Sequence, residues 1–439
     1  IYESLVGIDP TLKIIPGLAT SWQIADPRTY VFTLRHGVSF QDGTAFDAAA
    51  AKWNLDRYLT TPGSYRASEL ASVASVEARD AQTLVLHLKQ PDSTLLAQLV
   101  DRAGMMVSPA AVQKAGANFK RDATGAGTGP FEFVEWVPGD HLTIRRNPGY
   151  WQHGLPYLDT VTYHPVTDLN ASLNQLRSGS LDMVRSIAGK DVSTVKADSS
   201  LVYRQLPGLG YDAMQLNSTG VFADVKRREA VAMALDRAQI VKNVYFDVGP
   251  VAYGPLPPPS WAYTPSMKTY AKADPAGARS LASGFQFTLK TSNLLQSTQQ
   301  AQLMQAQLQK AGITMHIEVE EAAAVTADEQ AHHFDAALVS WSGRLDPDGN
   351  LYGWFDKTGP FNWGQYDNPQ VDSLLQQGRV ASARSDRKSI YQQAQSIVVK
   401  DAPLVYFHFW ASQEVHSTAV RGFTLYPDGM NRLAKVWKS

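Results

Sequence analysis

Between Phe285 and Val319 the hydrophobic period changes from two to about 3.6 and back again. Phe285, Phe287 and Leu289 alternate with polar neighbours. Ala301, Met304, Leu308 and Ala311 then recur at helical spacing, and Ile313, Met315, Ile317 and Val319 alternate once more. A strand, a helix and a second strand in that order return the chain to the same edge by a crossover, which makes the two strands parallel. This part of the chain therefore reads as α/β. Phe334 to Ser340 supplies one more strand, and it runs into the loop Trp341-Ser342-Gly343-Arg344-Leu345-Asp346-Pro347-Asp348-Gly349-Asn350. The carboxyl ends of strands are where such sheets commonly place a ligand crevice.

The first 150 residues have a different character: short alternating strands at Tyr30 to Leu34, Val73 to Ala78 and Thr83 to Leu88, with one helix capped by Asp47 and buried along Ala48, Ala51, Leu55 and Tyr58. Further on come a strand at Val161 to His164, a helix at Asn170 to Ser178, and a long helix from Asp224 whose stripe is Val225, Ala232, Leu235, Ala238 and Val241. Gly254 to Pro259 halts regular structure, and a domain boundary is expected there. Helices near Asn368 to Gly378 and Asp386 to Lys400 precede an apolar strand, Leu404 to Trp410. There is no internal repeat.

Gly127 to Trp151 reads as a hairpin with one buried face. Phe131 and Phe133 alternate with Glu132, Pro138-Gly139-Asp140 turns the chain, Leu142 and Ile144 alternate with Thr143 and Arg145, and the segment ends in Tyr150-Trp151. That string, GTGPFEFVEWVPGDHLTIRRNPGYW, resembles a segment of the extracytoplasmic solute-binding proteins of peptide- and nickel-type ABC transporters, family 5. Ile14 to Trp22 and Thr29 to Trp53 resemble the family's opening region. LPYLDTVTYHPVTD, QLRSGSLDMV, DRAQIVKNV, YDNPQVDSLL and SIYQQAQSIVVKDAPLVYFH follow in the family's order, so the likeness covers nearly the whole chain. Similar proteins carry a further N-terminal segment with a first strand, and DPAGARSLASGFQF is several residues short.

The resemblance implies a two-lobed periplasmic-binding-protein-like fold with a third inserted domain, hinge-bending, of the cluster C type. Its parts would be residues 1–154, a discontinuous domain of 155–255 with 413–439, and a second ligand-binding lobe at 256–412. Ligand would be trapped between lobes.

Composition narrows the rest. Forty basic and forty-one acidic residues give a net charge of -1 with no run of one sign, so nucleic acid is not an expected partner. The apolar runs are shorter than a membrane helix and no signal peptide opens the chain, so a soluble, mature protein is expected. The absence of cysteine excludes disulfides, thiolate metal sites and a cysteine nucleophile. A periplasmic or extracytoplasmic location, an ABC permease as partner and a monomeric state follow from the resemblance alone.

The Trp341–Asn350 loop is the best local site candidate. In similar peptide receptors the third residue after the Trp is acidic and pairs with the peptide's α-amino group. Here it is Arg344, whose guanidinium suits a carboxylate or phosphate. Either the ligand presents an anionic group to Arg344, or Asp346 or Asp348 takes over the amine; alternatively Arg344 pairs with one of these aspartates and only ties the turn. Trp341 would wall the pocket, with Ser342 and Gly343 offering backbone hydrogen bonds. Tyr211 and Trp363 follow turn residues and are candidate stacking platforms, and His408 is a candidate in its strand.

The acidic run lacks calcium-loop spacing, and His332-His333 has no third ligand near in sequence, so no metal site is expected. No GxSxG, HExxH, Walker or dinucleotide motif is present, and no catalytic residues or cofactors are expected. The sequence thus reads as a non-enzymatic receptor that captures a peptide-like or acidic small solute. A nickel chelate or other metallophore is the alternative ligand, and a periplasmic peptidase the alternative class.

Overall fold

The computed structural model describes residues 1–439, the side chain of Tyr65 excepted. The chain forms two compact units, one made of Ile1–Arg204, Gln413–Tyr426 and Met430–Ser439, the other of Gln205–Ser412 and Pro427–Gly429. Residues 155–204 thus group with 1–154, and 205–255 with 256–412. The Gly254–Pro259 stretch lies inside the second unit because Leu256 is buried in that unit's core. Two long strands, Leu201–Leu216 and Leu404–Ser417, carry the chain from one unit into the other.

In the first unit, strands Ala19–Asp26, Thr29–Leu34, Thr83–Leu88 and Val73–Ala78 form an antiparallel sheet in that order. Phe32, Leu34, Leu84 and Leu86 turn inward and meet Ala51 and Leu55 of helix Ala48–Thr60. Asp47 caps this helix by accepting a hydrogen bond from the Ala50 amide at 2.9 Å.

The expected hairpin is present as Phe131–Val137 paired with His141–Arg146, and Thr160–Tyr163 adds a third strand. A register shift between Thr143 and Ile144 adds one residue to the first strand and leaves Val134 exposed. Phe131 and Ile144 are buried against Val420, Leu433 and Val436.

The structure accounts for the ends of this motif. The Tyr150 hydroxyl and the Trp151 indole donate to the two carboxylate oxygens of Glu3, each at 2.8 Å, and Thr128 adds a bond at 3.0 Å. The glycines on either side of Thr128 are required because a Cβ on Gly127 or Gly129 would run into the carbonyl oxygen of Ile1.

The second unit is built on one sheet. Leu201–Leu216 is antiparallel to Ala336–Trp341, which is parallel to Gln286–Ser292, itself parallel to Thr314–Glu320; Leu404–Ser417 lies on the other side of Leu201–Leu216. The crossover helix is Leu295–Lys310. Met214, Leu216, Leu289 and Phe407 face a core closed by helices Val225–Ala234 and Leu295–Lys310. Tyr211, Ala213, Val339, Trp341 and Tyr406 face the other, closed by Asp348–Phe355, Pro369–Val380 and Arg384–Asp401.

Two local expectations are corrected. The long helix from Asp224 is two helices, Val225–Ala234 and Arg237–Val244, broken at Leu235 and Asp236. There the Asp236 amide donates to Gln307 Oε1 at 2.9 Å, and its side chain caps the second helix by accepting from the Gln239 amide. The tail of the Trp341–Asn350 loop is helical, because Asp348 begins the helix Asp348–Phe355.

Candidate ligand-binding site

Strand Ala336–Trp341 ends opposite Tyr211, and Gly343 then turns the chain with φ of +76°. This turn packs so closely on Leu209 that any Cβ at Gly343 would strike its carbonyl oxygen. Ser342 is exposed and Arg344 half-buried beyond it. The Arg344 guanidinium lies over the Trp341 ring, 4.3 Å from Cζ to the ring centroid, and its Nη1 donates to Gly343 O at 2.7 Å and to Ser342 Oγ at 3.2 Å. A cation stacked on indole is held by the negative face of the ring. Trp341 itself is only 9% exposed, with its ring 5.4 Å from Trp354 and 4.9 Å from Phe361. It supports Arg344 from beneath more than it walls an open pocket.

The two aspartates of the loop have partners that the sequence did not suggest. Asp346 is buried and paired bidentately with Arg387, Nη2 to Oδ1 at 2.7 Å and Nη1 to Oδ2 at 2.9 Å. Both of its oxygens accept from Arg387, a partner other than the ligand amine or the Arg344 tie expected from the sequence. Asp348, also buried, lies 3.4 Å from Arg379 Nε and accepts from the Tyr391 hydroxyl at 3.2 Å. Taken alone, residues 341–350 hold one cation and two anions. Arg379 and Arg387 thus bring two guanidinium groups to the two aspartates of the loop.

Three further candidates lie elsewhere. Tyr211 is fully buried, edge-on to Tyr406 at 5.1 Å, so it is a core residue and not a stacking platform. Burial pushes its phenol well above the ordinary tyrosine range, with the Arg344 charge acting against the shift. Trp363 is half-buried against Val325, Phe334 and Ala337 and extends the layer of Trp354 and Phe361, at 6.3 and 5.8 Å. His408 has both ring nitrogens engaged, Nδ1 with Asp212 Oδ2 at 2.9 Å and Nε2 with Val248 O at 2.6 Å, and stacks on Tyr245 at 3.8 Å. It ties down the turn after helix Arg237–Val244 and is not placed as a ligand contact.

Asn350, Arg379 and Arg387 were missed. Asn350 stands in the motif with no distinguishing spacing, and the arginines are on helices 30 residues or more further along, where nothing local marks them. Among the described residues no group of three or more His, Cys, Asp or Glu side chains could hold a metal ion. No helix is long and apolar enough to cross a membrane.

Residues 13–362 match the family described as bacterial extracellular solute-binding proteins, family 5 Middle. The chain belongs to that family. It is 31% identical over 458 residues to the glutathione-binding protein GsiB of Shigella dysenteriae serotype 1, covering 97% of this chain and 86% of the relative. Among solved structures, the ABC transporter-associated periplasmic binding protein DppA of Helicobacter pylori, in complex with peptide STSA, has a TM-score of 0.89 at 27% identity, covering 100% of this chain and 92% of that one. The binding protein AgaA of A.tumefacien R10, in complex with agropinic acid, has a TM-score of 0.89 at 25% identity, covering 100% and 93%.

Proposed function

We propose that this protein is the extracytoplasmic receptor of an ABC importer and captures a small peptide-like solute through an anionic group received at Arg344. The observation that carries this reading is the placement of Arg344, half-buried just past the end of strand Ala336–Trp341 with its guanidinium 4.3 Å over the Trp341 ring. A guanidinium already stacked on Trp341 offers a carboxylate a charge-assisted bond with little reorganisation. The relatives fit such a ligand: glutathione is an acidic tripeptide and agropinic acid is a carboxylate. The protein acts by binding and hands its solute unaltered to a membrane permease.

The test is calorimetric titration with glutathione, glutathione amidated at both carboxyls, and free and N-acetylated dipeptides, against wild type and Arg344→Gln. Loss of one charge-assisted hydrogen-bonded pair, about 1.5–3 kcal/mol, predicts affinity lower by about ten- to hundredfold for acidic ligands. Equal binding of acids and amides, or an unaffected Arg344→Gln, would overturn the reading. Ligand recovered chemically changed after incubation would overturn the non-enzymatic part.

A further inference from the structure

Asn350 is 1% exposed, and its side-chain amide has three partners. Oδ1 accepts from the Trp341 indole Nε1 and from the Arg344 backbone amide, each at 3.0 Å, and Nδ2 donates to Pro255 O at 3.1 Å. One carbonyl oxygen therefore fixes both halves of the Arg344–Trp341 stack, the ring from its edge and the arginine from its backbone. The third bond ties the pair to the Gly254–Pro259 stretch, whose prolines restrict the backbone. The clasp is itself immobilised, because Asn350 is in the first turn of helix Asp348–Phe355, where the Asp346 and Asp348 pairs lie. An amide is the side chain suited to this task, since it combines an acceptor with room for two N–H groups and a donor for a carbonyl.

We propose that Asn350 is the positioning residue of the ligand site. By holding Trp341 and Arg344 in fixed register it presets the guanidinium, and so sets how strongly the protein discriminates a solute with free carboxylates from the same solute amidated. This inference rests on the reading of Arg344 given above. A guanidinium on a long flexible stem loses side-chain freedom when a ligand immobilises it, and stacking on a ring that is itself held reduces that loss. Without the clasp the buried indole loses the bond that fixes its edge, the Arg344 amide loses its acceptor, and the guanidinium is held less firmly at one place. Asn350 touches no ligand in this scheme; it acts through Arg344 and Trp341.

The experiment measures dissociation constants for glutathione and for glutathione amidated at both carboxyls, and takes their ratio, in wild type and four variants. Asn350→Leu removes all three bonds at similar volume. Asn350→Ser keeps a polar group too short to reach both N–H donors, and serves if the Leu variant does not fold. Leu351→Ala deletes a fully buried neighbour on the same helix and controls for lost packing. Arg344→Gln tests the underlying reading. We expect the Asn350 variants to lower glutathione affinity by about tenfold, the worth of one or two hydrogen bonds, and to bring the ratio towards one. Leu351→Ala should lower the melting temperature and leave the ratio unchanged. The inference is overturned if Arg344→Gln collapses the ratio and the Asn350 variants keep it, or if Leu351→Ala shifts it as far as they do. If Arg344→Gln itself leaves the ratio intact, the anion-capture reading fails first and takes this inference with it.

Discussion

Glu414 lies in strand Leu404–Ser417 with no exposed surface, and neither of its carboxyl oxygens has a hydrogen-bond partner. Burial pushes its pKa from 4.5 up to about 8, against a weaker opposing pull from Arg204. The neighbouring His416, whose Nε2 is 3.9 Å from Glu414 Oε2, has its own pKa lowered chiefly by burial and so does not offset the cost of a charge on Glu414. An acid whose folded pKa is raised keeps its proton in the folded protein after the unfolded chain has released it. Between about pH 4.5 and pH 8 the folded state thus binds more protons, and stability falls as pH rises through that window.

At 1.36 kcal/mol per unit, the loss from this one group is about 3 kcal/mol by pH 7 and about 4 kcal/mol by pH 8. Glu414→Gln keeps the shape and removes the titration. Its own buried amide costs something, but that cost does not vary with pH. The difference in unfolding free energy, variant minus wild type, should therefore grow by about 3 kcal/mol from pH 5 to pH 8. Urea unfolding at four pH values, followed at the transition of the unit that contains Glu414, measures it. Glu329, also raised to about 8 by burial, is present in both proteins and drops out of the difference. Parallel stability curves for the two proteins would refute the argument, because they would mean that Glu414 is hydrated or paired when the chain is folded.

Two other perturbations test the loop. Arg387→Met leaves Asp346 charged, buried and unpaired and should destabilise by about 3–5 kcal/mol, with most of the loss recovered in the double variant Arg387→Met, Asp346→Leu; thermal unfolding that shows the single variant as stable as wild type would contradict it. Gly343→Ala forces a Cβ into a left-handed turn and against Leu209 O, so a loss of about 1–3 kcal/mol or more is expected, together with weaker solute binding; an unchanged denaturation midpoint would show that the turn relaxes freely.

Most of the fold was legible because its determinants are local. The strand–helix–strand unit at 286–320 follows from a change of period within 35 residues, and the 131–146 hairpin from its Pro-Gly-Asp turn; both formed where expected. The helix from Asp224 was misjudged because Leu235 keeps the apolar stripe while its backbone is extended, and the break is satisfied by Gln307, 71 residues away. The surroundings of the site are less legible for the same reason. Strand alternation places Tyr211 and Trp341 on one face but does not reveal that helix Asp348–Phe355 covers that face and buries Tyr211 completely.

The sign of the loop's charge depends on the same long-range partners. Within Trp341–Asn350 the balance is one Arg against two Asp, and the sequence leaves open both an anion at Arg344 and an amine at an aspartate. Two further arginines that change this balance stand on helices Pro369–Val380 and Arg384–Asp401, brought to the aspartates by the packing of those helices on helix Asp348–Phe355. Charge read along a loop describes only what it contributes; whether the folded loop attracts an anion or a cation depends on which residues the tertiary structure has already paired.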